Sequence, residues 1–175
     1  LGSFEVLRAV GRGQQGLKVA MMMYEDNARK INATLEAINP AATQDIIPLG
    51  RMDSMLQARD KLDEGYLVGM LADRGLGDDA TVDCDFLGKP APFPLGPFRM
   101  AAMLRRPVFF MTGLYLGGNR YQLHFEPIAD FSQTTREERD TAIHAAMQHY
   151  ADRLTHYCRL APYNWFNFFD FWQKK

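Results

Sequence analysis

Two short apolar runs, each launched by a glycine, constrain this chain more than any other feature. Leu17 to Tyr24 follows Gly16, and Tyr66 to Leu71 follows Gly65. They lack the polar alternation of a half-wet strand and are short for a helix, so they read as strands buried on both faces. Between them the period changes. Asn27 to Ile38 puts Ile31, Leu35 and Ile38 on one helical face and stops at Asn39-Pro40. Asp45 to Leu49 reads as a further short strand. Asp53 is placed to cap a helix that carries Met55, Leu56, Arg59 and Leu62 and ends at Gly65. Strands separated by helices imply an α/β fold: a central sheet, mostly parallel or mixed, with helices on both faces.

The rest of the chain extends this pattern. Ser3 to Val10 is expected to be a short helix stopped by Gly11 and Gly13. Gly11-x-Gly13-x-x-Gly16 matches a dinucleotide fingerprint by letter, but it precedes a strand instead of following one, so no dinucleotide site is expected. Thr81 to Phe86 alternates like an edge strand, and Gly88 to Pro94 reads as a proline-rich loop. Leu95 to Arg105 is expected to be helical, with Pro97 tolerated in its first turn. Pro107 to Leu116 and Arg120 to Pro127 flank Gly117-Gly118-Asn119 as a hairpin. Thr135-x-x-Glu138 is a capping box. It opens a long helix with Ile143, Ala146, Met147, Tyr150, Leu154 and Tyr157 on one stripe, and Pro162 follows its end. Without a repeat or a linker, residues 1–175 read as a single domain.

Composition narrows the function. At 175 residues and 47% hydrophobic, the chain can bury a real core. A net charge of −1 gives no global field for a nucleic acid. Cys84 and Cys158 are the only cysteines; they lie far apart and suit a reducing compartment. No signal peptide is visible, and no apolar run approaches the roughly 20 residues that span a bilayer. His124, His144, His149 and His156 have no metal-type spacing and read as structural or surface residues. Met21 to Met23 read as part of a buried strand. A hydrolase is disfavoured, because there is no Gly-x-Ser-x-Gly elbow.

Three blocks carry a resemblance. The opening Leu1-Gly2-Ser3-Phe4-Glu5-Val6-Leu7-Arg8-Ala9, the central Gly88-Lys89-Pro90-Ala91-Pro92-Phe93-Pro94-Leu95-Gly96-Pro97, and the closing Pro162-Tyr163-Asn164-Trp165 with its following aromatics resemble, in order and spacing, the lipid A biosynthesis acyltransferases of the lysophospholipid acyltransferase superfamily. The first family block reads His, four residues, then Asp or Glu. The resemblance therefore implies that Glu5 is the acidic member, that the histidine directly precedes Leu1, and that the domain is truncated at its N-terminus here.

What the resemblance implies is transfer of a fatty acyl chain from an acyl-carrier-protein or acyl-CoA thioester to a hydroxyl of a lipid A precursor or related glycolipid. The histidine would act as general base, and Glu5 would fix its tautomer and steady the imidazolium. Asp73 and Arg74 follow the Tyr66 to Leu71 strand, where α/β sheets place ligands, and Arg74 has the donor fork for a phosphate. Asn27 and Arg29 follow the first buried strand and are the other expected acceptor-binding residues. Many relatives carry a basic residue there, whereas this chain has Glu25-Asp26. No cofactor, metal or nucleic acid is expected. The expected setting is the cytoplasmic face of the inner membrane, with a membrane surface as partner. The alternative is a non-catalytic lipid-binding protein of the same fold. The aromatic tail, Trp165 to Trp172 before Lys174 and Lys175, either covers the core or sits at a bilayer interface.

Overall fold

A computed structural model describes residues 18–24, 46–51, 53–73, 79–168 and 170–173. Its elements are β1 (Lys18–Tyr24), β2 (Ile46–Leu49), α1 (Ser54–Asp63), β3 (Tyr66–Met70), β4 (Thr81–Phe86), β5 (Lys89–Pro94), α2 (Gly96–Met103), β6 (Pro107–Tyr115), β7 (Tyr121–Asp130) and α3 (Arg139–Leu160). The chain divides into two compact units, residues 8–71 and residues 1–7 with 72–175. The α/β class expected from the sequence holds. Among the described residues its strands form three ladders: a parallel sheet in the order β2-β1-β3, and two antiparallel pairs, β4-β5 and β6-β7. The expected helices at Ser3 to Val10 and Asn27 to Ile38 lie outside the described residues.

In the smaller unit β1 is the central strand, and Ala20 and its three methionines are buried. Met21, Met22 and Met23 are 7%, 2% and 7% exposed. Register pairs Met21 with both Ile46 and Gly69. A Cβ on Gly69 would meet Met21 Sδ at 2.6 Å, so the glycine makes room for the thioether. Helix α1 buries Ala58 and Ser54, and Ser54 Oγ donates to the Pro48 carbonyl at 2.5 Å. Its start departs from expectation. Asp53 sits at the N-cap, but its φ of −89° and ψ of −6° are already helical, and its side chain makes no capping bond. Its carboxylate accepts from Gln57 Nε2 at 2.7 Å and Arg51 Nε at 3.2 Å instead. The swing of a helical N-cap away from the extended region removes the geometry that capping needs. Gly65 closes the helix at φ +82°, which L residues adopt only at a cost.

In the larger unit the stretch expected to be a proline-rich loop is a strand. Prolines 90, 92 and 94 stand at every second position of β5, opposite Asp85, Asp83 and Thr81. Successive N–H groups of a strand point to opposite edges, so the three missing donors all fall on one edge. The ladder with β4 runs through Lys89, Ala91 and Phe93. The partners of the prolines accordingly turn outward: Asp85 N donates to Gln148 Oε1 of α3 at 3.0 Å, and Gln148 Nε2 donates to Asp85 O at 3.2 Å. Proline alternation is compatible with a two-stranded ladder, and composition alone reads it as loop.

The Thr135–Glu138 box closes, with Glu138 N donating to Thr135 Oγ1 at 3.3 Å and Thr135 N donating to Glu138 Oε2 at 3.2 Å. It closes the turn before helix α3, whose own N-cap is Glu138, already helical at φ −84° and ψ −14° and without a side-chain capping bond. The stripe of α3 buries Ile143, Ala146, Met147, Ala151, Leu154, Tyr157 and Cys158 against Phe86, Phe93 and Phe98. The end of the chain joins this core. The Phe171 ring lies 5.2 Å from Phe86 and 5.4 Å from Phe93, and Trp172 Nε1 donates to the Phe86 carbonyl at 3.4 Å. Each such aromatic contributes roughly 1.5–3 kcal/mol by burial.

The β6-β7 hairpin turns through Gly117 and Gly118, both at positive φ, and Leu116 N donates to Arg120 O at 3.0 Å. Its inner face carries Phe110, Thr112 and Leu114 on β6 and His124, Glu126 and Ile128 on β7. Its outer face carries Phe109, Met111, Tyr115, Tyr121, Leu123 and Phe125, all exposed.

Candidate functional site

The parallel register aligns β1 and β3, with Met22 opposite Met70, so both strands end at the same edge of their sheet. Asn27 and Arg29 follow β1 in the chain, and Asp73 and Arg74 follow β3. Carboxyl-terminal strand edges are where α/β sheets collect ligands. Of the five residues singled out from the sequence, Asp73 falls within the described residues; Glu5, Asn27, Arg29 and Arg74 lie outside them. Asp73 is 3% exposed. That rules out a solvated turn carboxylate, because a buried charge must be paired or hydrogen-bonded to persist. Its charge reaches α3. Burial first, and then the nearby Asp73, push the Cys158 thiol up to about 12.

Cys84 behaves in the same way, with burial and then Asp152, Asp83 and Asp85 raising its thiol to about 11. Burial thus holds both thiols protonated at neutral pH, which makes them poor nucleophiles. Neither cysteine is therefore equipped to take an acyl group from a thioester. Ser54 is buried and committed to the Pro48 carbonyl, which removes it as a nucleophile as well.

A second polar group was not anticipated from the sequence. Glu126 on β7 accepts from Arg153 Nε at 2.5 Å, from Arg153 Nη2 at 3.1 Å and from the Tyr157 hydroxyl on α3. The His124 ring lies 4.7 Å from that of Tyr157, and His149 Nδ1 sits 3.0 Å from the Ile128 carbonyl. The pairing has a simple period. Every second residue of a strand advances about 6.6 Å, and every fourth residue of a helix about 6.0 Å. Thus 124, 126 and 128 meet 157, 153 and 149 in turn. The legible signal was this matched spacing, which is masked by the mixed chemistry of the residues carrying it. Tyr157 and then Arg153 hold the Glu126 carboxyl below its ordinary range, while burial and then Glu126 raise the Tyr157 hydroxyl. Because Glu126 accepts from both Arg153 and Tyr157, the group joins β7 to α3.

The other histidines are likewise engaged with their own unit. His144 Nδ1 lies 2.6 Å from the Asp140 carbonyl, and the His156 ring sits edge-on to Tyr157 at 4.9 Å. Among the described residues no three metal-type ligands gather, and no helix is long and apolar enough to cross a membrane.

The family model for the bacterial lipid A biosynthesis acyltransferases matches residues 7–174. The chain belongs to that family. The match runs through both compact units and includes the central proline block and most of the aromatic tail. Comparison with the curated proteins gives no match. Membership implies acyl transfer in lipid A biosynthesis, with an acyl donor and a lipid acceptor as partners.

Proposed function

We propose that the chain moves a fatty acyl group from an acyl-carrier-protein or coenzyme A thioester to a hydroxyl of a lipid A precursor or related glycolipid, at the cytoplasmic face of the inner membrane. The family match over residues 7–174 carries this reading. In the proposed step a histidine directly before Leu1 takes the proton of the acceptor hydroxyl. The oxygen attacks the thioester carbonyl, the carbon–sulfur bond breaks, and the thiolate leaves and is protonated. Glu5 orients the imidazole and balances its positive charge. Asp73, Arg74, Asn27 and Arg29 are the proposed acceptor-binding residues, and the guanidinium of Arg74 supplies the donor chemistry for its anionic groups.

The cysteines support direct transfer. Both thiols are held protonated, so a covalent acyl-cysteine stage has no competent nucleophile. The test compares the chain beginning at Leu1 with a form carrying a histidine directly before it, following a labelled acyl chain into extracted lipid. The histidine form should be faster by about 10²–10⁴-fold, the usual contribution of a general base. Glu5→Ala should remove most of that gain. Equal rates with and without the histidine would overturn the mechanism. Tight lipid binding without transfer in both forms would favour the non-catalytic lipid-binding alternative.

A further inference from the structure

The described residues hold one stretch whose charge departs from that of the whole chain. Leu87 to Phe125 contains no Asp or Glu and carries Lys89, Arg99, Arg105, Arg106 and Arg120, although the net charge of the protein is −1. Of these cations Arg120 stands at the hairpin tip, whereas Arg105 and Arg106 precede β6 at the opposite end of the hairpin. Tyr115 is 48% exposed, Leu116 52% and Tyr121 41%, beside exposed Arg120.

The C-terminal aromatic segment meets this tip. Asn164 Oδ1 accepts from the Tyr115 backbone N–H at 2.7 Å, along the free edge of β6. The segment then splits by side chain. Trp165, Phe171 and Trp172 turn onto the core, whereas Tyr163, Phe166 and Phe168 are 93%, 58% and 92% exposed. Leu160 and Arg159, at the end of α3, are exposed just before them. No acid occurs between Leu160 and Phe168.

We infer that the β6-β7 tip and the exposed part of the aromatic segment form one edge that seats on an anionic bilayer surface. Tyrosine and phenylalanine side chains suit the boundary between headgroups and acyl chains, and arginines beside them suit lipid phosphates. An acidic protein partner would match the charge and the aromatic rings as well; the lipid acceptor of the proposed function favours the bilayer. The occupant rests on the proposed function, in which the acceptor is a membrane glycolipid. The edge itself rests on exposure, charge and the Asn164 contact.

Sedimentation of the 175-residue chain with vesicles tests the edge, using phosphatidylcholine alone and phosphatidylcholine mixed with phosphatidylglycerol. The parent should bind the mixed vesicles more tightly. Tyr115→Ser with Tyr121→Ser, and separately Tyr163→Ser with Phe168→Ser, should each weaken binding by about tenfold or more. Arg120→Gln should weaken binding to anionic vesicles by about fivefold, the effect of one cation near the surface, and leave neutral vesicles unaffected. Arg120→Gln alters an exposed side chain, so it reports even if a paired variant folds poorly. Folded variants that bind like the parent would overturn the inference, as would loss confined to Met111→Ser with Phe125→Ser on the outer face. A raised KM for the acyl-carrier thioester with unchanged vesicle binding would assign the edge to the donor protein and also overturn it. Transfer to a short-chain, water-soluble acceptor, measured in the form carrying a histidine directly before Leu1, separates the two readings. If edge variants of that form lose vesicle binding but keep that transfer, both stand. If that form binds vesicles but transfers to no acceptor, the proposed function fails and the edge remains.

Discussion

The two antiparallel ladders of the larger unit solve the same problem in opposite ways. In β4-β5 the division between faces is conventional. Cys84, Phe86, Ala91 and Phe93 go inward, and Thr81, Asp83 and Asp85 go to water. In β6-β7 the inward face mixes Phe110 and Leu114 with Thr112, His124 and Glu126, while Phe109, Met111, Leu123 and Phe125 face outward. Phe109 and Phe125 even stack at 4.6 Å on the outer side. Folding of the larger unit explains the first arrangement by apolar burial. It explains only the inward face of the second, where hydrogen bonds join β7 to α3. The outer face is more apolar than that packing requires, and patches of this kind on soluble proteins usually serve contact with something else.

The contrast can be broken at its strongest point first. Phe86 is 0% exposed and touches Phe93, Trp165, Phe171 and Trp172. Phe86→Ala should cost about 3–5 kcal/mol in urea unfolding. A loss below about 1 kcal/mol would mean that this cluster is not the core.

Glu126→Ala comes next. It leaves Arg153 and Tyr157 without their acceptor, and should cost about 1–2 kcal/mol once the partial exposure of the pair is allowed for. The same group sets a pH dependence. Its carboxyl is held below the ordinary range by Tyr157 and then Arg153. A depressed folded-state pKa gives stability that is complete above the unfolded value, about 4.3, and is lost as pH falls through the folded value. The parent should therefore lose more stability on acidification than Glu126→Gln. Parallel unfolding curves for the two at all pH values would show that the carboxylate is not engaged.

Thr135→Ala opens the capping box before α3 and should cost about 1 kcal/mol. The smallest effect is expected on the outer face, where Phe125→Ser should change stability by no more than about 0.5 kcal/mol. A core-sized loss there would show that the outer face is covered in the folded chain.

Much of the fold was legible because its signals are local. The glycine-bounded runs gave β1 and β3, Gly117-Gly118 placed the hairpin turn, and Thr135-x-x-Glu138 marked the turn that leads into α3. Where sequence reading failed, the deciding geometry was not local. Prolines 90, 92 and 94 looked like a loop until β4 supplied a partner for the intervening residues. Asp53 had the right chemistry for a cap, but Gln57 and Arg51 took its carboxylate. The Glu126 group was hidden because its members are 27 to 31 residues apart and meet only when β7 lies along α3. Of the candidate site, Asp73 is buried, which its turn-like sequence did not reveal, while Glu5, Asn27, Arg29 and Arg74 lie outside the described residues.

The most direct test of the account is the mass of the acceptor. A lipid A precursor is incubated with an acyl-carrier thioester and the protein carrying a histidine directly before Leu1, and the extracted lipid is weighed by mass spectrometry. The account predicts an acceptor heavier by one fatty acyl group per hydroxyl esterified, and far less of that product in the same time from the Glu5→Ala variant. Free fatty acid with an unchanged acceptor, or an acylated protein thiol, would contradict it.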